Sequence, residues 1–197
     1  MGRIVVLNRV SLDGYYAGPS GEIDWHVMDP ELDRYVMDPE LGKQEHEPSP
    51  PPDTVVFGRV TYDLFAQHWP HVAANPNAGE GERRMADALG AMTKVVFSTT
   101  REDVTWPNSR LLPGNVAAEV RALKAGGASI IIFGSGTIIR ELADAGLIDE
   151  YQLIVTPRAL GAGKTLFAGG QPFGVKLLEA RAFPASGNVL LRYAAGR

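Results

Sequence analysis

Short apolar runs alternate with longer stretches of helical period along most of the chain. Arg3 to Val10 is a β-branched run closed by Ser11-Leu12-Asp13-Gly14, which predicts a strand and a turn. Tyr15 to Asp29 is broken by glycines and Pro19 and reads as a loop. Asp29 before Pro30 is a helix start, a capping acid followed by a proline at the first helical position. A short helix to Met37 follows, ended by Pro39. Thr54–Phe57 predicts a second strand, and Gly58-Arg59-Val60-Thr61 turns from it into a helix ending near His68. Glu80 to Met92 carries Met85, Leu89 and Met92 at helical spacing.

Lys94–Ser98 and Ser109–Leu112 are the next strands. Asn115 caps a helix with Val116, Val120 and Leu123 on one face, stopped by Gly126-Gly127. Ser129–Phe133 is a strand of the fully buried type. Gly134-Ser135-Gly136-Thr137 opens a helix that turns Ile138, Leu142 and Ala145 inward and stops at Gly146. Glu150–Pro157 is a further strand, and a glycine-rich loop runs from Gly161 to Gly170. Lys176–Phe183 and Asn188–Tyr193 form a terminal hairpin turning around Ala185-Ser186-Gly187.

Strand–helix alternation implies parallel strands joined by crossover helices. A closing hairpin must add an antiparallel edge. The expectation is an α/β fold with a mostly parallel open sheet and an antiparallel C-terminal edge hairpin. Pro48, Pro50, Pro51 and Pro52 crowd the stretch from Gly42 to Asp53, which favours extended, solvated backbone. Neither flank would make a complete core alone. The stretch at about 43–53 is therefore read as a surface loop within a single domain spanning residues 1–197.

Composition narrows the function classes. The chain has 197 residues, is 45% hydrophobic and 21% charged, and carries a net charge of −4. No basic run offers the clustered positive charge that nucleic-acid affinity depends on. No apolar stretch is long enough to cross a bilayer. The opening Ile4-Val5-Val6-Leu7 is too short for a signal peptide, and Val6 stands where a myristoylation signal needs Ser or Thr. There is no cysteine, so disulfides, thiolate catalysis and cysteine-ligated zinc are excluded. A soluble cytoplasmic protein without nucleic-acid or membrane partners is the default expectation.

In open α/β sheets, ligands bind beyond the carboxyl ends of the strands. Four strand-end loops carry residues suited to an anionic nucleotide. Gly134-Ser135-Gly136-Thr137 combines small residues, a helix N-terminus and a hydroxyl, though a plain helix cap needs the same residues. Ile139 stands where the dinucleotide fingerprint needs its third glycine. Gly58-Arg59-Val60-Thr61-Tyr62 has the same placement, with Arg59 able to meet phosphate oxygens and Thr61 able to cap the helix. Ser98-Thr99-Thr100-Arg101 gathers hydroxyls and a guanidinium, a cradle for a further phosphate or a polar turn. Ser11-Leu12-Asp13-Gly14, with Gly21-Glu22-Ile23-Asp24-Trp25-His26, gathers carboxylates, a Trp and a His. A carboxylate in a partly apolar pocket has a raised pKa and can donate a proton. Asp13-Gly14 is also the composition of an ordinary tight turn.

Two similarities are set aside. Gly163-Lys164-Thr165 ends like a P-loop, but Arg158 stands where that motif needs glycine. His68 and His71 lack a third ligand nearby in sequence and read as a surface pair, so no metal is expected.

Taken in order, these motifs resemble the dihydrofolate reductase-like family, and within it the reductase domain of riboflavin-biosynthesis proteins. Val10-Ser11-Leu12-Asp13-Gly14 is similar to the first strand end of those domains. Gly21-Glu22-Ile23-Asp24-Trp25-His26 resembles the glycine-to-tryptophan loop of dihydrofolate reductases. Val55-Val56-Phe57-Gly58-Arg59-Val60-Thr61-Tyr62 and Ile131-Ile132-Phe133-Gly134-Ser135-Gly136 resemble the two glycine-bearing turns. Leu142, Gly146-Leu147-Ile148-Asp149-Glu150-Tyr151, Pro157, Leu160-Gly161-Ala162-Gly163 and Leu166-Phe167 complete the pattern. The adjacent glycine pair usual in the second turn is Gly134-Ser135 here, and Asp24 stands where dihydrofolate reductases tend to have proline.

The resemblance implies a three-layer dihydrofolate reductase-like fold and NADPH as cofactor. It implies pyrophosphate near Gly58, Arg59, Thr61 and Gly134 to Ile138, with the 2′-phosphate near Ser98, Thr99 and Arg101. It puts nicotinamide near Ser11 and the Asp24–Trp25 loop. Asp13 is the candidate carboxylate nearest the chemistry, with Asp24 and Glu31 behind it, and which of them would give the proton stays open. Trp25 and Tyr62 are candidates to line the pocket of a small pterin- or pyrimidine-like substrate. The implied reaction is hydride transfer to a C=N or C=O bond, similar to 5-amino-6-(5-phosphoribosylamino)uracil reduction. Dihydrofolate reduction and non-catalytic NADPH binding are the alternatives. A homodimer is implied as well.

Overall fold

The computed structural model describes residues 2–37, 50–167 and 170–196. Pro39 and most of the proline-rich stretch fall outside them. In chain order the elements are β1 (Arg3–Ser11), β2 (Tyr15–Ala17), α1 (Pro30–Met37), β3 (Thr54–Gly58), α2 (Arg59–Ala74), α3 (Glu80–Ala91) and β4 (Thr93–Phe97). They continue with β5 (Ser109–Leu112), α4 (Val116–Ala125), β6 (Ser129–Phe133), α5 (Gly136–Asp144), β7 (Glu150–Thr156), β8 (Lys164–Thr165), β9 (Val175–Phe183) and β10 (Asn188–Ala195).

Eight strands form one sheet in the order β5-β4-β3-β6-β1-β7-β10-β9. The first six run parallel to their neighbours, while β10 is antiparallel to β7 and to β9. This is the expected mostly parallel sheet with an antiparallel hairpin at its C-terminal edge. Ile4, Val6, Val56, Val95, Ile130 and Ile132 point to one face, where Val120 of α4 and Ile138, Ile139 and Leu142 of α5 cover them. Leu7, Val55, Phe57, Val96, Ile131 and Phe133 point to the other, against Leu32 of α1, Tyr62 of α2, and Met85 and Leu89 of α3. Strands covered on both faces read as unbroken apolar runs, which is why they were legible.

Helix starts follow the expected chemistry. Asp29 Oδ1 accepts from the N–H groups of Glu31 and Leu32 at 2.9 and 3.2 Å. Asn115 Oδ1 accepts from Ala118 N–H at 2.8 Å.

Two expectations are corrected. Helix α2 does not end near His68; it runs through Pro70 to Ala74. Proline removes one hydrogen bond, while Trp69, packed on Phe65 and against the core, holds the turn together. Tyr15–Ala17, read as loop, is a strand paired with Lys164–Thr165 out of the glycine-rich loop. Ala145, the C-cap of α5, packs partly buried against the core as expected, and the fully buried Ile139 joins it there.

Lys94 is fully buried, with Nζ donating to the carbonyls of Gly90 and Met92 at 3.1 and 2.7 Å and lying over the Trp106 ring. Burial lowers its pKa to about 8. The ammonium closes the C-terminal end of α3, where the helix dipole favours a cation.

Candidate functional site

Because β4, β3, β6, β1 and β7 are parallel neighbours, the turns at their carboxyl ends open at one edge of the sheet. All four candidate loops lie there. Gly58 and Ser135 are in direct contact: Gly58 N–H donates to Ser135 Oγ at 2.8 Å. Ser135 Oγ in turn donates to Thr61 Oγ1 at 3.1 Å. Thr61 therefore does not cap α2; its hydroxyl reaches across to the other turn, and Gly58 caps the helix without a side chain.

Gly134 has φ 58° and Ser135 φ 59°, two left-handed residues in succession. A Cβ on Gly134 would stand 3.0 Å from Thr61 Oγ1, so close approach as well as φ demands glycine. Gly136 is small for a different reason: a Cβ there would meet the Tyr16 ring at 2.8 Å. Thr137 and Arg59 are exposed, while Ile138 is buried in the core.

The Ser98 turn is tied to α2. Ser98 Oγ accepts from the N–H groups of Thr100 and Arg101 at 3.2 and 3.1 Å. Arg101 pairs with Asp63 and lies 5.0 Å from the centre of the Tyr62 ring. Asp63 also faces Arg59 at 3.9 Å, so both basic residues share one carboxylate. Thr99 is exposed.

At the end of β1, Ser11 is buried and its Oγ donates to Asp13 Oδ1 at 2.6 Å. Asp13 also accepts from Leu160 N–H at 3.0 Å and Gly161 N–H at 2.7 Å. Ser11 and these two N–H groups hold the Asp13 pKa down to about 2. The raised pKa expected of a proton donor does not occur at Asp13. Its site is exposed and rich in donors, rather than apolar. Asp24 and Glu31 are exposed on the neighbouring loop and on α1, and neither shares the Asp13 hydrogen bonds.

Trp25 is half-buried, with Nε1 donating to Glu22 O at 3.0 Å and the His26 ring edge-on at 4.5 Å. Burial, with Arg9 nearby, lowers the His26 pKa to about 4, so the imidazole is neutral near pH 7. Leu12, Ile23 and Met28 leave apolar surface exposed on the same loops. Tyr62 is not available to line a pocket. It is fully buried, packed on Phe57, with its hydroxyl accepting from Trp106 N–H at 2.9 Å.

Sequence reasoning missed Asn8. Its Oδ1 accepts from Gly134 N–H at 2.8 Å, and its Nδ2 is buried without a partner among the described residues. A polar residue at an inward position of an apolar strand was the available signal.

The family model described as the RibD C-terminal domain matches residues 3–186. The chain belongs to the RibD C-terminal domain family. Membership places it among reductase-type enzymes. The uncharacterized protein YyaP of Bacillus subtilis is 30% identical over 193 residues, covering 97% of this chain and 94% of YyaP. A solved structure from Shewanella sp. PV-4, named for riboflavin biosynthesis, superposes with a TM-score of 0.70 at 23% identity, each chain covered in full. The diaminohydroxyphosphoribosylaminopyrimidine deaminase/5-amino-6-(5-phosphoribosylamino)uracil reductase of Thermotoga maritima gives 0.64 at 15% identity. This chain is covered to 99% in that match and spans 57% of the Thermotoga protein. The two solved structures share the dihydrofolate reductase-like fold with this RibD C-terminal domain protein.

Proposed function

We propose that the protein is an NADPH-dependent reductase that transfers hydride to a C=N or C=O bond of a small heterocycle. By analogy with the reductase half of the Thermotoga protein, the substrate is a ribosylamino-pyrimidine phosphate. The observation that carries the reading is the contact between Gly58 and Ser135. Two strand-to-helix turns meet at one sheet edge, where helix N-terminal N–H groups favour phosphate. The exposed Arg59 and Thr137 beside them suit a pyrophosphate. NADPH, when bound, supplies the hydride; the chain's part is to hold it and the acceptor in line and keep water out. Trp25 and the apolar loop residues suit a flat ring. Ser11, Asp13 and the Leu160–Gly161 turn fix the wall between substrate and nicotinamide.

The test is a fluorescence titration with NADPH and NADH on wild type and Arg101→Ala, followed by a hydride-transfer assay on pterins and pyrimidines. Arg101 is assigned to the 2′-phosphate, so the variant should lose most of its preference for NADPH and keep its NADH affinity. Binding without turnover of any acceptor would favour a non-catalytic NADPH-binding protein, and turnover of dihydrofolate alone a dihydrofolate reductase. Absence of dinucleotide binding would end the reading.

The protein is further proposed to act in the cytoplasm as a homodimer. Val175 and Leu177 of the outer strand β9, with Phe167 and Phe173, leave apolar surface exposed. They adjoin a hollow of about 460 Å³ lined also by Tyr151 and Tyr193. An unpaired edge strand beside an apolar face is a template for a second copy. Light scattering should give twice the 21.2 kDa chain mass. Leu177→Asp should lower it toward one chain, and a monomeric wild type would refute the dimer.

A further inference from the structure

The segment 22–29 leads from β2 to α1 and carries Trp25 and His26, yet it contains no helix or strand. It is tied down at its C-terminal end. Val27 O accepts from Arg9 of β1 at 3.3 Å and from Asn188 Nδ2 at 2.9 Å. Asp29 Oδ2 accepts from the Ser186 hydroxyl, while Oδ1 starts α1. Ser186 Oγ in turn accepts from the backbone N–H of Asn188 at 3.2 Å and from its Nδ2 at 3.0 Å. The turn between β9 and β10 therefore grips the segment at two points, from the far end of the chain.

Asn188 is fully buried, and its Oδ1 has no partner among the described residues. Beside it on β7 stands Thr156, also fully buried and with an unpartnered Oγ1. Thr156 is in register with Ser11 of β1, and Asn188 precedes Val189, which is in register with Val155. Ser11, Thr156 and Asn188 thus form one polar row across three strands, next to Ile154 and Leu190 of the apolar core. Apolar side chains would fill such positions without orphaning a polar atom, and that local rule is broken where function demands the residue. The two ends of the row hold the two walls of the candidate pocket. Ser11 holds Asp13 and with it the Leu160–Gly161 turn. Asn188 holds Val27 and with it the adjoining Trp25 and His26.

We propose that Asn188, aided by Ser186, is a positioning residue: the turn of the C-terminal hairpin holds the Trp25–His26 segment in place for the acceptor substrate. The effect passes through the Val27 carbonyl and the Asp29 carboxylate. It acts on acceptor binding, not on the Gly58 and Ser135 turns assigned to the dinucleotide. This rests on the reductase reading above and adds which part of the chain fixes the acceptor wall.

The experiment compares wild type with Asn188→Leu, Ser186→Ala and Ser186→Thr, and with Val120→Ala, a core deletion in α4 on the opposite face of the sheet. Acrylamide quenching of Trp25 emission, taken as the difference between each protein and its Trp25→Phe counterpart, reads the segment directly. KM for 5-amino-6-(5-phosphoribosylamino)uracil and an NADPH titration read the consequence, and thermal unfolding is recorded throughout. Asn188→Leu keeps the packing volume and removes the unpaired Oδ1, and Val27 O keeps Arg9 as a donor. Its unfolding midpoint should therefore stay near that of wild type. It should nonetheless leave Trp25 more open to acrylamide and raise KM about tenfold, the scale of one hydrogen bond, with NADPH affinity nearly unchanged. Ser186→Ala should act in the same direction, and Ser186→Thr, which keeps the hydroxyl, should restore wild-type values. Val120→Ala should lower the midpoint and leave quenching and KM alone. Quenching or KM unchanged in Asn188→Leu, an equal rise in Val120→Ala, or no rescue in Ser186→Thr with its midpoint intact would overturn the proposal. A wild type that binds no NADPH or reduces no pyrimidine defeats the functional reading instead, and Trp25 quenching then still decides whether the turn holds the segment.

Discussion

Glu150→Ala is expected to cost about 3–5 kcal/mol of stability, because it removes the one carboxylate between two guanidinium groups. Glu150 opens β7 and is 1% exposed. It pairs with Arg3 of β1 and accepts from Arg192 Nε of β10 at 2.8 Å, and Gln152 donates to it at 2.7 Å. Arg192 also reaches Glu179 of β9 at 3.2 Å, and Glu179 accepts from the Tyr35 hydroxyl of α1 at 2.6 Å. The chain of charges therefore stitches the parallel sheet to its antiparallel hairpin and the hairpin to α1. Deleting the central acid leaves Arg192, largely buried, facing Glu179 as its remaining carboxylate among the described residues. For a domain of this size the loss corresponds to a fall of roughly 10 °C in the unfolding midpoint. Glu150→Gln keeps the shape and one acceptor, and should cost less than the alanine variant. A midpoint for Glu150→Ala within about 2 °C of wild type would show that the network carries no net stability.

The same network marks the limit of what the sequence disclosed. Val55-Val56-Phe57 and Ile130 to Phe133 announce buried parallel strands by composition alone, because no face of theirs meets water. The order of those strands places their turns at one edge, so the region of the candidate site was legible too. Contacts between turns were not. Gly58 and Ser135 are far apart in sequence, and nothing local to either shows that one side chain satisfies the other's backbone. Tyr62 shows a different limit. Next to Thr61 it looks like part of the turn, but one further residue along a helix rotates a side chain by roughly 100°, and that turns it into the core. The strand at Tyr15–Ala17 was hidden because its partner, Lys164–Thr165, is two residues long and surrounded by glycines that read as loop. Helix α2 outran its expected end because local propensity at Pro70 was outweighed by the burial of Trp69.

Asp13→Ala should slow hydride transfer about a hundredfold, the usual scale when supports of a reacting geometry shift by an ångström, with little change in stability. The carboxylate is exposed and contributes no core packing. It accepts the Ser11 hydroxyl and the N–H groups of Leu160 and Gly161, so it pins the β7–β8 loop to the end of β1. The alanine variant frees both, and under the proposed function the wall between nicotinamide and substrate is lost with them. Asp13→Asn should be intermediate, since its carbonyl can replace one acceptor only. The pH dependence separates this positioning role from proton donation. The folded pKa of Asp13 is lowered to about 2 from 3.8. Any stability it lends is thus present above its unfolded pKa and fades as pH falls through the folded one, far below neutrality. Between pH 5 and 8 Asp13 stays ionised and has no proton to give, so the limbs of the kcat/KM profile should keep their positions in Asp13→Asn while the plateau drops. A wild-type inflection in that range that vanishes in Asp13→Asn would make Asp13 the acid after all, its pKa raised by bound substrate and cofactor. The proton would then come from the residue that fixes the loop, and Asp24 and Glu31 would have no part in the transfer.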